Sequence, residues 1–395
     1  MTRSPTDLRW VVDDVIPHTA ALKRLMGRVS IVPGRDINPQ LIRDADILLV
    51  RSITRVDESL LAGSSVRFVG TATAGIDHFD IEAIERLGIQ WAAAPGSNAL
   101  SVVEYVLSAL ALVDWLRPLM TGATIGLVGL GEVGTRLAQR LINLGCSVVA
   151  HDPLCQRWPQ GVVRADLNEV LRQPVVSLHA SLHDNPPHRS RAMIDVAQAE
   201  MMVSALQSRQ EGGLFINAGR GELMTRRALD ILLESAWSVV LDTWPGEPVL
   251  GARDLIRCDW VSPHIAGHSA QARARGSNML AASISRWSGL SDYVEPSHQK
   301  PELSGAGFFD ESRASQAPDD PVNWATQFLT ARAVLAREDA RIRAGGSAGL
   351  SAVDFDRLRK SYEQPDEWTG RAINMTHASS AVYRLAAELG LKATQ

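Results

Sequence analysis

The sequence predicts an α/β protein with two doubly wound parallel-sheet domains and a small α+β C-terminal domain. Three observations lead there. Short apolar runs alternate with segments of helical spacing from residue 9 onward, a second such series starts at Thr124, and the composition changes after about Ser291. A β-then-α rhythm lays parallel strands beneath crossover helices. A chain of 395 residues is also too long for a single core.

In the first series, "RWVVDD" (9–14), "DILLV" (46–50) and "VRFVGT" (66–71) read as strands. "IEAIERLG" (81–88) has helical spacing. Pro95 and Gly96 mark a turn, Asn98 can cap, and one long helix is expected from about Ser101 to Met120. Glu104 and Asp114 inside that apolar stretch argue against a membrane span.

The second series offers "TIGLVG" (124–129), "CSVVAHD" (146–152), "VVSLHA" (175–180), "GLFINA" (213–218), "SVVLDTW" (238–244) and "DWVSPH" (259–264). Five to seven parallel strands are expected. "HQKPELSGAGFFDESRASQAPDDPV" (298–322), rich in Pro, Gly, Ser and charge, reads as a linker. "NWATQFLTARAVLAREDARIRA" (323–344) reads as helix, opening a third domain that starts near residue 291.

Composition narrows the function classes. The net charge is −4 with 21% charged residues, so no basic excess exists to release counterions from a nucleic acid or to hold an anionic membrane. "MTRSPTDLRWVVDD" turns acidic before any long apolar stretch, so no signal peptide is expected. Cys146, Cys155 and Cys258 form no C-x-x-C pair, which favours a reducing, cytoplasmic setting without disulfides or a zinc site.

The most specific stretch is "TIGLVGLGEVGTRLAQRLINLGCSVVAHDP" (124–153). Gly129, Gly131 and Gly134 form G-x-G-x-x-G between an apolar strand and an amphipathic helix expected from about Glu132 to Leu144, with Gly145 as its C-cap. Gly129 permits a tight turn, Gly131 lets a pyrophosphate approach the helix N-terminus, and Gly134 lets helix and strand pack closely. The cofactor loop is therefore expected to comprise Gly129, Gly131, Glu132, Val133 and Gly134. Asp152, 21 residues beyond Gly131, is placed to take both ribose hydroxyls and to repel a 2′-phosphate, which favours NAD over NADP. Arg157 nearby is the group a 2′-phosphate would need.

In an open α/β sheet the ligand sits at the carboxyl ends of the strands. Arg220 follows "LFINAG", Glu247 follows "SVVLDTWPG", and His264 follows "WVSP". Alone, each has a bland explanation: a surface ion pair, a solvated turn, a satisfied structural imidazole. Together they suit oxidation of a 2-hydroxy acid. A guanidinium holds the carboxylate in a bidentate fork. An imidazole takes the C2 hydroxyl proton. A glutamate bonded to that ring fixes its tautomer and favours its protonated form.

"GLGEVG", "INAGRGEL", "LDTWPGEP" and "SPHIAGHS" resemble the D-2-hydroxyacid dehydrogenase family over roughly residues 124–270. The likeness extends to residues 48–80 and 93–106. It also reaches "DFDRLRKSY" (354–362), a tail motif that most of the wider family lacks. The resemblance implies His264 as acid/base, Glu247 as its partner and Arg220 as the carboxylate-binding residue. It implies substrate contacts from Ser52 and Thr73, and NAD contacts from Asp152, Asp242 and Gly267. It further implies a substrate domain of residues 1–98 with 266–290, flavodoxin-like in form, an NAD-binding Rossmann domain over 99–265, and a C-terminal domain over 291–395 that builds a homodimer.

The chain departs from the pattern at two places. His268 stands where related enzymes carry a tyrosine near the substrate, and it can donate a hydrogen bond there. "HASL" (179–182) stands where the family commonly has H-T-P-L beside the cofactor, at the expected Ala180 contact. The substrate is expected to be a phosphorylated small 2-hydroxy acid, its phosphate met by Arg51 or by one of Arg357, Arg359 and Lys360. The competing readings are the same chemistry on another acid, such as 3-phosphoglycerate, and a non-catalytic NAD-sensing protein.

Overall fold

The computed structural model describes residues 5–289, 320–345, 349–375 and 378–394. They divide into two compact units, one from the ranges 1–98 and 268–304, the other from 99–267 and 305–395.

The first unit is built on five parallel strands: β1 (Arg9–Asp13), β2 (Arg28–Val32), β3 (Ile47–Val50), β4 (Phe68–Thr71) and β5 (Gln90–Ala92), in the order β2-β1-β3-β4-β5. This is the flavodoxin-like order. Its central strands β3 and β4 are buried throughout, as strands covered on both faces must be. The edge strand β2 leaves Ile31 57% exposed and carries no clean alternation, which hid it in the sequence. The returning helix Ala270–Ser288 packs Leu280, Ala281 and Ile284 against Trp10, Leu22 and Phe68.

The second unit holds seven parallel strands: β6 (Thr124–Val128), β7 (Ser147–His151), β8 (Val163–Arg164), β9 (Val175–Leu178), β10 (Gly213–Asn217), β11 (Trp237–Leu241) and β12 (Trp260–Val261). The order is β12-β11-β10-β9-β6-β7-β8. The chain runs outward from β6 through β7 to β8, then returns to the other side of β6 with β9. That reversal is the switch point where such sheets open a crevice.

The stretch expected as one helix from Ser101 to Met120 is two, Ala99–Leu112 and Leu116–Met120. Asp114 between them adopts a left-handed backbone with φ 56°, which ends the first helix. Twelve residues of Ala99–Leu112 are buried, so this helix is apolar on every side because protein covers every side. No described helix is long and apolar enough to cross a membrane.

Part of that cover comes from the C-terminal segment. The expected helix over 323–344 is also broken, into Pro321–Arg332 and Val334–Ala344 at Ala333. Trp324, Phe328 and Trp368 join the same core as Val102, Val106 and Leu110. The buried carboxylate of Glu104 accepts from the backbone N–H groups of Trp368 (3.0 Å) and Thr369 (2.8 Å). Thus the described part of the segment expected to stand alone from residue 291 shares the core of residues 99–267. The physical reason is the all-round apolar helix, which needs that second layer. A parallel pair, Ala372–Asn374 with Lys392–Thr394, and the helix Ser380–Glu388 supply the small α+β element. Most of the expected linker, residues 298–319, lies outside the described residues.

Candidate active site

Gly129 follows β6 with φ 94°, and a Cβ there would lie 2.4 Å from the Ala180 nitrogen. The two loops flanking the switch point therefore touch through this glycine. A Cβ on Gly134 would meet the Gly129 carbonyl oxygen at 2.0 Å, so only glycine lets the helix Glu132–Asn143 start there. A Cβ on Gly131 would meet nothing within 4 Å. Gly131 is the N-cap of that helix, so open space fronts its unpaired N–H groups. Glu132 is exposed and bonds Arg136 one turn on (2.5 Å); Val133 is half-buried. These residues fit a dinucleotide pyrophosphate.

Asp152, at the end of β7, accepts from Leu130 N–H on Oδ2 (2.7 Å) and from Leu154 N–H on Oδ1 (2.9 Å). Its carboxylate shapes the glycine turn, a role the sequence did not suggest. Arg157 is exposed, and its carbonyl accepts from the Cys155 thiol. Beside Ala180, His179 Nε2 lies 2.9 Å from Ser177 Oγ, and burial pushes its imidazole down to about 4. It is neutral at physiological pH.

His264 and Glu247 meet. Nδ1 of His264 and Oε1 of Glu247 are 2.7 Å apart, and Glu247 Oε2 accepts from Trp244 N–H at 3.2 Å. Burial alone would raise the Glu247 carboxyl. The His264 charge and hydrogen bond, the Trp244 N–H and the Arg359 charge outweigh it and hold Glu247 below its ordinary range. An ionised Glu247 accepts only, so Nδ1 of His264 carries the proton and Nε2 is left for a reactant. His264 itself has φ 57°, a left-handed backbone uncommon outside glycine, of the kind that concentrates at functional sites.

Asp242 holds that backbone in place. It is 1% exposed and accepts from Ser262 Oγ (2.6 Å), Ile265 N–H (2.7 Å) and Ala266 N–H (2.9 Å). The family resemblance implies an NAD contact from this carboxylate; its bonds within the chain fasten the His264 loop. Tyr105 Oη lies 2.7 Å from Ser262 Oγ, extending the chain of bonds to the helix Ala99–Leu112. Burial, with the charge of Asp242, keeps that phenol protonated.

Arg220 lies three residues past β10, half-buried, with Nη1 donating to the Gly219 carbonyl (2.9 Å). Asn217 sets its loop, donating to the Arg220 carbonyl (3.0 Å) and accepting from Gly219 N–H (3.1 Å) and Thr243 Oγ1 (3.1 Å). A Cβ on Gly221 would fall 1.9 Å from the Trp244 carbonyl oxygen. The Arg220 loop therefore rests on the turn that carries Glu247. Trp244, 1% exposed, donates through Nε1 to the Ser262 carbonyl (3.0 Å). It joins all three loops, and sequence reasoning missed it, along with Tyr105, Ser262 and Asn217. Only "LDTWPGEP" hinted at Trp244; nothing in the spacing links residue 105 to 262.

The remaining expected substrate residues belong to the first unit, again at strand ends. Ser52 is exposed, two residues past β3. Thr73 Oγ1 lies 2.7 Å from Thr71 Oγ1 and donates to the Gly75 carbonyl (3.0 Å). Arg51 Nε donates to the buried Asp13 (2.7 Å). His268 is half-buried and precedes Ser269, which caps the returning helix by accepting from Ala272 N–H (2.9 Å). Gly267 is half-buried at the end of the His264 loop. No group of three His, Cys, Asp or Glu able to hold a metal occurs among the described residues.

The sequence profile of the D-isomer specific 2-hydroxyacid dehydrogenase catalytic domain matches residues 19–331. The chain belongs to this dehydrogenase family. It is 36% identical to an erythronate-4-phosphate dehydrogenase from Yersinia enterocolitica over 387 residues, 95% of this chain and 96% of that one. It is 35% identical to the same-named protein of Escherichia coli strain ATCC 8739, over 98% of each chain. Among solved structures, D-lactate dehydrogenase from Aquifex aeolicus, complexed with NAD and lactic acid, aligns with TM-score 0.58 at 18% identity. NAD-bound 3-phosphoglycerate dehydrogenase from Entamoeba histolytica aligns with TM-score 0.55 at 21% identity. Each covers 72% of this chain and 97% of its own length, which establishes the dehydrogenase fold.

Proposed function

We propose that this chain oxidises 4-phospho-D-erythronate at C2, with NAD, to (R)-3-hydroxy-2-oxo-4-phosphooxybutanoate, a step of pyridoxal 5′-phosphate biosynthesis. The chemistry rests on the 2.7 Å pair of His264 and Glu247 beside the Arg220 loop. The substrate follows the name of relatives that match over nearly the whole chain.

The glycine turn 129–134 and the N-terminus of the helix Glu132–Asn143 would hold the pyrophosphate, with Asp152 at the adenosine ribose and Ala180, Asp242 and Gly267 as further NAD contacts. Bound NAD supplies the hydride acceptor. Arg220 holds the substrate carboxylate and so orients C2. Nε2 of His264 takes the hydroxyl proton, and Glu247 stabilises the resulting imidazolium. Ser52, Thr73 and His268 contact the rest of the substrate. We further propose a cytoplasmic homodimer, which light scattering of the purified chain tests.

The deciding experiment follows NADH absorbance with erythronate 4-phosphate, 3-phosphoglycerate and unphosphorylated erythronate at matched concentrations. Turnover fastest on the first supports the proposal. Preference for 3-phosphoglycerate reassigns the substrate. Binding of NAD without turnover on any of them makes the chain a sensor and refutes catalysis.

A further inference from the structure

The loop after β4 carries a chain of side-chain hydrogen bonds that ends on Thr73. Thr71 is the last residue of β4 and is 0% exposed; Thr73 lies half-buried two residues on. Farther along the loop, Phe79 sinks into the core with Val56 and Ile84, and Asp80 caps the helix Ile81–Arg86 by accepting from Ala83 N–H (3.0 Å). Val56 N–H donates to the His78 carbonyl (2.8 Å), and the His78 ring packs edge-on against Phe79 with centroids 4.7 Å apart. So anchored, His78 turns back to the strand end, where its Nε2 lies 3.1 Å from Thr71 Oγ1. Thr71 Oγ1 lies 2.7 Å from Thr73 Oγ1, which in turn reaches the Gly75 carbonyl at 3.0 Å.

Counting hydrogens fixes the direction of this chain. A carbonyl oxygen only accepts, so the single hydrogen of the Thr73 hydroxyl goes to Gly75. Thr71 must then donate to Thr73, which uses its own hydrogen. His78 must therefore donate to Thr71 from a protonated Nε2. No other arrangement satisfies all three bonds. The Thr73 oxygen accepts from Thr71 with one lone pair and keeps the second, and no other described residue bonds to it. At the carboxyl end of β4, where such sheets meet their ligands, it is an acceptor with no hydrogen to give.

We infer that Thr73 reads a substrate hydroxyl, not the phosphate or the carboxylate, and that His78 is a positioning residue that sets this polarity through Thr71. An ionised carboxylate or phosphate oxygen carries no hydrogen, so neither can bond to the open lone pair. A hydroxyl can. In 4-phospho-D-erythronate the C2 hydroxyl gives its proton to His264, which leaves the C3 hydroxyl for Thr73. 3-Phosphoglycerate has no second hydroxyl, so the contact favours the four-carbon acid. Without a donor at His78, Thr71 is released to turn and accept from Thr73. Thr73 then no longer holds a fixed polarity, and the preference weakens.

The role given to Thr73 rests on the proposed dehydrogenase reaction, and a binding measurement separates the two. Steady-state kinetics compare erythronate 4-phosphate with its 3-deoxy analogue, 2-hydroxy-4-phosphooxybutanoate, in full-length wild type, Thr73→Val, His78→Leu and His78→Gln. Wild type should prefer the hydroxylated acid by about tenfold in kcat/KM, and Thr73→Val should abolish that preference. His78→Leu should reduce it by about three- to fivefold, through KM more than kcat. His78→Gln keeps an N–H donor and should restore most of it. Calorimetric titration of the same two acids into each protein, with NADH present, reads the preference without turnover. Equal use of the two acids by wild type, or a preference untouched by His78→Leu, would overturn the inference. So would a lowered Tm in His78→Leu with both acids affected alike, which would make His78 a structural residue only. If wild type turns over neither acid yet binds the hydroxylated one more tightly, the reaction is refuted and the hydroxyl contact stands. If it binds both alike, or neither, the contact is refuted as well.

Discussion

Glu247 accepts from Nδ1 of His264 across 2.7 Å, and it does so as a carboxylate held below its ordinary range. The geometry fixes one tautomer and exposes Nε2. His264→Ala should leave NADH binding within about twofold while lowering kcat by roughly 10²- to 10⁴-fold. Glu247→Gln keeps the shape but not the charge that stabilises the imidazolium; kcat should drop by less than in His264→Ala. Fluorescence titration with NADH beside steady-state kinetics separates binding from chemistry, and retention of turnover in His264→Ala would refute the role.

Gly131 and Gly134 should fail in opposite ways. A Cβ on Gly131 meets nothing within 4 Å, so Gly131→Ala should fold with an unchanged Tm yet bind NADH more weakly. A Cβ on Gly134 collides with the Gly129 carbonyl oxygen, a backbone atom with little freedom to move. Gly134→Ala should therefore lower stability by about 1–3 kcal/mol. Calorimetry and NADH titration on the two variants check the contrast.

Asp242 satisfies two buried N–H groups and one hydroxyl of the loop on either side of His264. Asp242→Ala leaves those donors without their acceptor, each at a cost of about 1–3 kcal/mol. The expected outcome is a marked loss of stability together with lost turnover, because the left-handed backbone at His264 depends on that grip. Asp242→Asn, which keeps one oxygen, should sit between the two. Urea denaturation curves give the ordering.

Glu104 gives a pH signature to stability. Burial pushes its carboxyl from 4.5 up to about 7, against the Thr369 and Trp368 backbone N–H groups and with help from Glu367. The folded chain thus holds a proton that the unfolded chain releases, so this group's contribution is full at low pH. It falls as pH rises from about 4.5 to about 7 and then levels off. At about 1.4 kcal/mol per pH unit, the change across that window is on the order of 3 kcal/mol. Denaturation midpoints measured from pH 5 to 8 should decline in wild type and flatten in Glu104→Gln.

The strands that carry the site were legible because the apolar runs of β6, β9, β10 and β11 are buried almost throughout, and those of β9, β10 and β11 stop abruptly at His179, Asn217 and Asp242. Arg220 and Glu247 stood out by following such runs, and His264 by following the short apolar pair Trp260–Val261. The short edge strands β2 and β8 left no such pattern, since half or more of their residues face solvent. The break at Asp114 was hidden because helical spacing continues across it. Long-range partners were the real blind spot. Tyr105 and Ser262, or Glu104 and Trp368, pair across more than 150 residues, and nothing local marks either end. Asp242 entered only through the family resemblance, and its three bonds into the His264 loop needed the fold to reveal them.

The helix Ala99–Leu112 presents apolar side chains in all directions, and residues 320–394 supply one of the layers over it. During synthesis on the ribosome, the nucleotide half emerges long before that layer is made. Until Trp324, Phe328 and Trp368 arrive, the nascent chain displays a greasy flank suited to chaperone capture. A nonsense mutation ahead of residue 320 should accordingly yield insoluble or rapidly degraded product, even though Gly129, Asp152, Arg220, Glu247 and His264 would all have been translated.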